Sequence, residues 1–439
     1  MDIRVRRSGP LRGRARVPGD KSISHRAVML GSIAGGTTVI RGFSPALDCR
    51  STVDAMRSLG VAIDEPEAGT LVVAGLGLRG LREPENVIDV GNSGTTMRML
   101  PGILAGQDFY AVLTGDASIR RRPMLRIVEP LRAMGCSILG RANGNLAPLT
   151  IRGGRLRGIE YSTPVPSAQV KSAILLAGLY AEGKTLVAES APSRDHTERM
   201  LAAMGADIEV DGLTIGVSGG RELGPIDIDV PGDLSSAAYP IIAALLVEGS
   251  DIEVVGVGTN PTRCGFLDVL EAMGAKVEIE NRALSGGEER ADVEVRASVL
   301  RAVSMGGEII PRLIDEIPIL VVAATQAEGE TVIEGASELR VKESDRIAAL
   351  ATELAKMGAD VEELPDGLIV RRPVSLRGAE VESHGDHRIA MSLAIAGLIA
   401  EGETVVKNAE CIDISYPGFA ETLAHLGDVG CIVALSAKG

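Results

Sequence analysis

The segment LEAMGAKVEI, residues 270–279, closes an amphipathic run on Met273 and Gly274 and passes into alternating apolar and charged residues. It recurs as LAAMGADIEV from Leu201, LAKMGADVEE from Leu354, LRAMGCSIL from Leu131, MRSLGVAI from Met56 and LAHLGDVGCIV from Leu423. The shared glycines are Gly60, Gly135, Gly205, Gly274, Gly358 and Gly427, spaced 75, 70, 69, 84 and 69 residues apart. A second signature precedes each copy: an Ala-rich helical pattern, a glycine turn and a β-branched run. It is clearest in LLAGLYAEGKTLVAES, VAATQAEGETVIEGAS and IAGLIAEGETVVKNAE. Apolar residues at helical spacing favour helix, and TVIEG or TLVAE favours strand. A glycine after each helix suits the left-handed C′ position. Each unit therefore reads helix–strand–helix–strand with a further strand in the longer linkers, a βαβαββ-like repeat. Six such units bundle most naturally into two lobes of three.

This repetition explains the composition. Glycine makes up 53 of 439 residues, about 12% against a usual value of about 7%. Helix ends and close helix packing both call for it. The chain carries a net charge of -14, with four Phe, five Tyr and no Trp. Nucleic-acid phosphates want a basic surface and single-stranded bases want aromatic platforms, so no nucleic-acid partner is expected. The 45% hydrophobic content excludes a wholly disordered chain. Cys49, Cys136, Cys264, Cys411 and Cys431 never fall in CxxC spacing, which indicates neither a zinc site nor a disulfide framework. No signal-peptide core opens the sequence, and the longest apolar stretch, near residues 390–400, is short of the ~20 residues that a membrane span needs. A cytoplasmic protein without a membrane partner is expected.

Two motifs are decoys. GLGLRG at 75–80 matches a dinucleotide fingerprint but leads into LREPEN, with no helix to receive a pyrophosphate. HGDH at 384–387 offers two histidines without an obvious third ligand, so no metal and no cofactor are expected.

Eight segments break the repeat with dense polar and cationic residues. PGDKSISHRA (18–27) places Lys21, Ser22 and Arg26 at a helix start, where free N–H groups suit an anion. DVGNSGTTMRML (89–100) is a glycine-rich entry with Gly94, Thr95, Thr96 and Arg98; TGDASIRRRPM (114–124) holds Arg122 beside Pro123. In VPSAQVKSAILLAG (165–178), Ser167 and Gln169 cap an apolar helix around Ala168, and PSRDHTERML (192–201) adds Arg194. IPRLIDEIPIL (310–320) sets Asp315 and Glu316 in an apolar run, where a carboxylate must be paired or have a shifted pKa. In LRVKESDRIAAL (339–350), Lys342 and Arg346 are spaced to share a helical face, with Glu343 between them. SHGDHRIAMSLA (383–394) puts Arg388 at a helix start. Two facing lobes would gather these cations into one cleft for small anions.

Together PGDKSISHR, GNSGTT, SIRRRPM, SAQVKSA, IDEIP, LRVKESDRI and GDHRIAM resemble the 5-enolpyruvylshikimate-3-phosphate synthase family from about Lys21 to Pro417. The resemblance implies a two-lobed inside-out α/β barrel of six βαβαββ repeats, three per lobe. It implies an N-terminal lobe at 20–232, a C-terminal lobe of 1–19 plus 233–439, and an active site in the cleft between them. The implied reaction moves the enolpyruvyl group of phosphoenolpyruvate to the 5-hydroxyl of shikimate 3-phosphate and releases phosphate through a tetrahedral intermediate. It implies that Lys21, Ser22, Arg26, Ser167, Ala168, Gln169, Arg194, Asp315 and Lys342 bind shikimate 3-phosphate. Lys21, Gly94, Arg122, Gln169, Arg346 and Arg388 would take phosphoenolpyruvate. Asp315 would accept the hydroxyl proton, Glu343 would protonate the methylene carbon, and Lys21 would assist. The two substrates bring two phosphates and two carboxylates, which Lys21, Arg26, Arg122, Arg194, Lys342, Arg346 and Arg388 would neutralise. A monomer is implied, with glyphosate as a possible inhibitor. Gly94 is the small residue usual in sensitive members, whereas SAQVK and NPTR (260–263) resemble the tolerant subclass. Ile414 stands where some members carry a lysine. The sister UDP-N-acetylglucosamine enolpyruvyl transferases usually place a cysteine where this chain has Ala117. A non-catalytic repeat scaffold would instead spread its charges over an exposed face.

Overall fold

The computed structural model describes residues 1–428 and 430–435. The chain divides into two compact units. The continuous unit comprises Gly19–Val230 with Leu284–Glu288; the split unit comprises Met1–Pro18, Pro231–Ala283 and Glu289–Gly439. Each has its own hydrophobic core.

The repeat is visible in the strand order. Glu160–Ser162 runs parallel to Lys184–Ala188, which pairs antiparallel with Thr214–Ser218, which pairs antiparallel with Asp207–Asp211. Three four-stranded sheets of this order occur in each unit, and none of them closes on itself among the described residues. Two sheets are completed by strands distant in sequence. In the continuous unit, Asp227–Asp229 returns to lie parallel to Gly35–Arg41. In the split unit, Arg12–Ala15 lies parallel to Asp251–Gly258, while Asp2–Arg6 sits between Glu403–Lys407 and Ile432–Leu435.

Each repeat supplies two helices of two or more turns. In the continuous unit they are α1 Lys21–Ser32, α2 Leu47–Ser58, α3 Gly94–Ala105, α4 Leu125–Ala133, α5 Ala168–Gly178 and α6 His196–Ala203. In the split unit they are α7 Leu234–Leu246, α8 Gly265–Ala272, α9 Ile317–Ala324, α10 Arg346–Lys356, α11 His387–Ile399 and α12 Phe419–Leu426. Past their first turns the odd-numbered helices are buried on almost every side, and the most apolar of them, IPILVVAA in α9, is buried throughout. The even-numbered ones are amphipathic: α10 buries Ile347, Leu350 and Leu354 at helical spacing. Helices lie inside and sheets outside, which is the inside-out α/β arrangement. Small residues set the closeness of the buried helices. A Cβ on Gly102 of α3 would lie 2.2 Å from the carbonyl oxygen of Ala173 in α5.

Five of the six repeat glycines are left-handed, from Gly274 at φ 78° to Gly135 at φ 109°. Gly427 is instead extended at φ -110° and ψ -160°, because the last repeat runs on through Asp428 rather than turning back in a C′ cap. GLGLRG ends the strand Thr70–Leu76 and continues as a turn, with no helix before α3. No helix among the described residues is long and apolar enough to cross a membrane.

Candidate active site

The candidate residues cluster at the N-termini of the buried helices. In the continuous unit, Asp20 caps α1 by accepting the Ile23 N–H at 2.9 Å, which fixes Lys21 as its first residue. The Lys21 ammonium lies 3.0 Å from Asp48 on α2. Burial opposes ionisation of Asp48, but Lys21 and then His25 outweigh it and hold the carboxyl well below the usual range. Arg26, one turn on, is 3% exposed. It donates to Thr197 Oγ1 at 2.7 Å, the Ser22 carbonyl at 2.9 Å and Ser172 Oγ at 2.9 Å. Burial pulls its pKa down to about 10, and Glu198 partly offsets this. Arg194 is close enough to push the same way as burial.

Ser93 caps α3, accepting the Thr96 N–H at 3.2 Å, and leaves Gly94 at the helix start. A Cβ at Gly94 would stand 3.2 Å from Nη1 of both Arg122 and Arg98. Ser167 caps α5, so Ala168 and Gln169 open that helix. Gln169 is not a cap. Its Oε1 accepts from Arg98 at 2.8 Å and its Nε2 donates to Thr95 at 3.2 Å. Gly94, Arg122 and Gln169 are thus gathered around Arg98.

In the split unit the organising group is Asp386, the N-cap of α11. It accepts the Arg388 N–H at 2.9 Å and the Arg346 Nε–H at 2.8 Å. Burial opposes its charge, yet Arg346 and His387 hold the carboxyl low. Arg346, 1% exposed, also reaches Glu343 at 2.7 Å and Asp315 at 3.6 Å. Arg388 donates to the Asp315 carbonyl at 3.1 Å and lies 3.7 Å from its carboxylate. Burial works against both guanidinium charges. Asp386 and Glu343 more than compensate at Arg346, and Asp315 does so at Arg388, so both pKa values are raised. Lys342 sits where burial lowers its ammonium pKa, with Asp315 the strongest opposing influence. Asp315, Lys342, Glu343, Arg346 and Arg388 therefore form one cluster. Lys342 and Arg346 do not share a helical face, however. A 3-10 helix, Ser337–Val341, ends at Lys342, and Asp345 caps α10 by accepting the Ala348 N–H, so the helix begins only at Arg346.

Two residues that sequence reasoning passed over, Asp48 and Asp386, are structurally central, and Glu316, read from the sequence as needing a partner, has one. Glu316 is buried and bonds Ser235, with Arg263 at 3.5 Å. An acidic residue before an apolar run signals a buried partner, and IDEIP carried that signal for both acids.

Buried helices whose cationic N-termini sit among paired carboxylates define an α/β protein suited to small anions. The sequence matches the family described as EPSP synthase (3-phosphoshikimate 1-carboxyvinyltransferase) over residues 5–423. It is 58% identical to the 3-phosphoshikimate 1-carboxyvinyltransferase of Pelotomaculum thermopropionicum, across 97% of this chain and 99% of that one. An EPSP synthase structure from Acinetobacter baumannii superposes with a TM-score of 0.90 at 44% identity, covering 98% of this chain and 99% of that one. The enolpyruvyl transferase NikO of Streptomyces tendae, at 20% identity and TM-score 0.82 over 100% and 99% of the two chains, shares the fold. This chain belongs to the EPSP synthase family, the 3-phosphoshikimate 1-carboxyvinyltransferases.

Proposed function

We propose that the chain joins phosphoenolpyruvate to the 5-hydroxyl of shikimate 3-phosphate. The observation that carries this reading is the pair of preorganised cation sets at buried helix starts. Fixed charges and N–H groups in a water-poor setting bind anions strongly without reorganising. Ser167, Ala168 and Gln169 offer the N-terminus of α5 to the shikimate phosphate, and Arg194, which lies near Arg26, adds its charge. Lys21, Ser22 and Arg26 hold its remaining oxygens; three of the N–H groups of Arg26 already bond protein. Asp315 and Lys342 take the ring hydroxyls. Lys21, Gly94, Arg122, Gln169, Arg346 and Arg388 clamp phosphoenolpyruvate.

Asp315 lies between two guanidinium groups and is the group placed to accept the hydroxyl proton. Glu343, 27% exposed and paired to Arg346, delivers a proton to the methylene carbon. The tetrahedral adduct then expels phosphate, and the regained double bond completes the transfer. The chain acts as a cytoplasmic monomer, and glyphosate competes for the phosphoenolpyruvate clamp. Phosphate release with both substrates present tests the reading: release should require both. Release from phosphoenolpyruvate with a UDP-sugar in place of shikimate 3-phosphate would overturn it.

A further inference from the structure

Behind Lys21 lies a cluster that the reaction does not use. His25, Asp48 and Cys49 bring one ligand atom each to within 4.8 Å of one another. His25 is 1% exposed and Cys49 is fully buried. The His25 ring is held from its far side: Nδ1 lies 2.6 Å from Thr52 Oγ1, Thr52 lies 2.6 Å from Thr96 Oγ1, and Thr96 lies 2.7 Å from Ser93 Oγ. That hydroxyl chain leaves Nε2 facing Asp48 Oδ2 at 3.8 Å. Neither His25 Nε2 nor Asp48 Oδ1 has a hydrogen-bond partner, although both atoms are buried. Buried polar atoms are normally satisfied, and two orphans in one cluster beside a thiol mark a place for a shared partner. A hydrogen-bonded Nδ1 with a bare Nε2 is also how metal-binding histidines are oriented.

We infer that His25 Nε2, Asp48 and Cys49 Sγ form a site for a borderline divalent cation of the zinc class, and that its occupation takes Asp48 away from Lys21. Imidazole, carboxylate and thiolate together suit zinc or cobalt rather than magnesium or calcium, which want oxygen alone. The charged groups facing the cluster are Asp20, Asp48 and Lys21, a local excess of one negative charge before the thiol ionises. Binding forms a sulfur–metal bond and releases the Cys49 thiol proton to solvent; no electron moves. Asp48 and Lys21 keep 13% and 19% of their side chains exposed, which is the way in. The predicted loss of activity rests on the role proposed for Lys21, whereas the binding does not.

Cobalt titration of the ligand-free protein tests the binding, because a cobalt–thiolate bond absorbs in the near ultraviolet. One equivalent should develop the band in wild type. Cys49→Ser should abolish it, and His25→Gln should weaken the affinity at least tenfold. Metal-free turnover of Cys49→Ser should match wild type, which also certifies its fold. Zinc should inhibit phosphate release from wild type, reversibly with a chelator, and spare Cys49→Ser. No band in wild type, a band retained in Cys49→Ser, or His25→Gln binding cobalt as tightly as wild type overturns the site. A band without zinc inhibition overturns the displacement of Lys21 while leaving the site standing.

Discussion

Asp315 keeps 17% of its side chain exposed and has a guanidinium near each carboxylate oxygen, Arg346 at 3.6 Å and Arg388 at 3.7 Å. Both arginines retain other anchors: Asp386 for Arg346, and a backbone carbonyl for Arg388. Removing the carboxylate should therefore spare the fold. Asp315→Ala is expected to melt within a few degrees of wild type and to lose about 10²–10⁴-fold in turnover, the usual worth of a positioned acid or base. Near-normal turnover would refute the assignment. At Gly94 the added methyl of Gly94→Ala would meet two guanidinium groups at 3.2 Å, tighter than ordinary van der Waals contact. The arginines can yield, but only by leaving their present places, which would disturb the clamp proposed for phosphoenolpyruvate, to which Arg122 belongs. Inhibition curves should show weaker glyphosate binding by about tenfold, ~1.4 kcal/mol, and a higher KM for phosphoenolpyruvate. The sequence displayed these cations and Asp315 because a charge in an apolar run or beside a stiffening proline is conspicuous. It concealed Asp48 and Asp386, whose types are ordinary at helix starts. Their importance comes from which arginine or lysine the fold brings to them.

At the scale of the element, helix starts do two jobs. Asp386 caps α11 and neutralises Arg346, a residue with 1% of its side chain exposed. Asparagine would keep the cap but leave the guanidinium to Glu343 and Asp315 alone. Asp386→Asn should cost about 1–3 kcal/mol in denaturant titration and raise KM for phosphoenolpyruvate. The pH dependence has a definite sign. The folded pKa of Asp386 lies below its unfolded value of about 3.9. Its contribution is complete above that unfolded value and is lost as pH falls toward the folded one. The variant should lack that part of the acid limb. Close packing is the other demand on these elements. A Cβ at Gly102 would overlap the Ala173 carbonyl, so Gly102→Ala should destabilise the continuous unit by about 1–3 kcal/mol, seen as a lower Tm. The six-fold repetition was legible because such glycines punctuate it. The break between Lys342 and Arg346 was not, since four-residue spacing looks helical until Asp345 is seen to cap α10.

Over the whole molecule, acidity and anion binding coexist. A net charge of -14 repels substrate trianions at long range, and only the local cation clusters reverse the sign. Saturating shikimate 3-phosphate should therefore stabilise the folded chain strongly, by about 2.7 kcal/mol at a hundredfold excess over Kd. Thermal melts should show a rise with shikimate 3-phosphate and a larger one when glyphosate is added. An unchanged Tm with both ligands would count against the anion-binding assignment.

The strand Asp2–Arg6, set between Glu403–Lys407 and Ile432–Leu435, imposes a schedule on biosynthesis. The continuous unit can assemble as soon as its residues emerge. Ile3 must wait for Val406, which at about 5–20 residues per second means roughly 20–80 s with its edges open. An unpaired strand is an invitation to wrong neighbours, and charge is a common deterrent. Residues 1–18 carry Arg4, Arg6, Arg7, Arg12, Arg14 and Arg16. In a chain that is acidic overall, this arginine density at the waiting end acts as a chaperone written into the sequence, keeping the first strand made soluble until its last partner arrives.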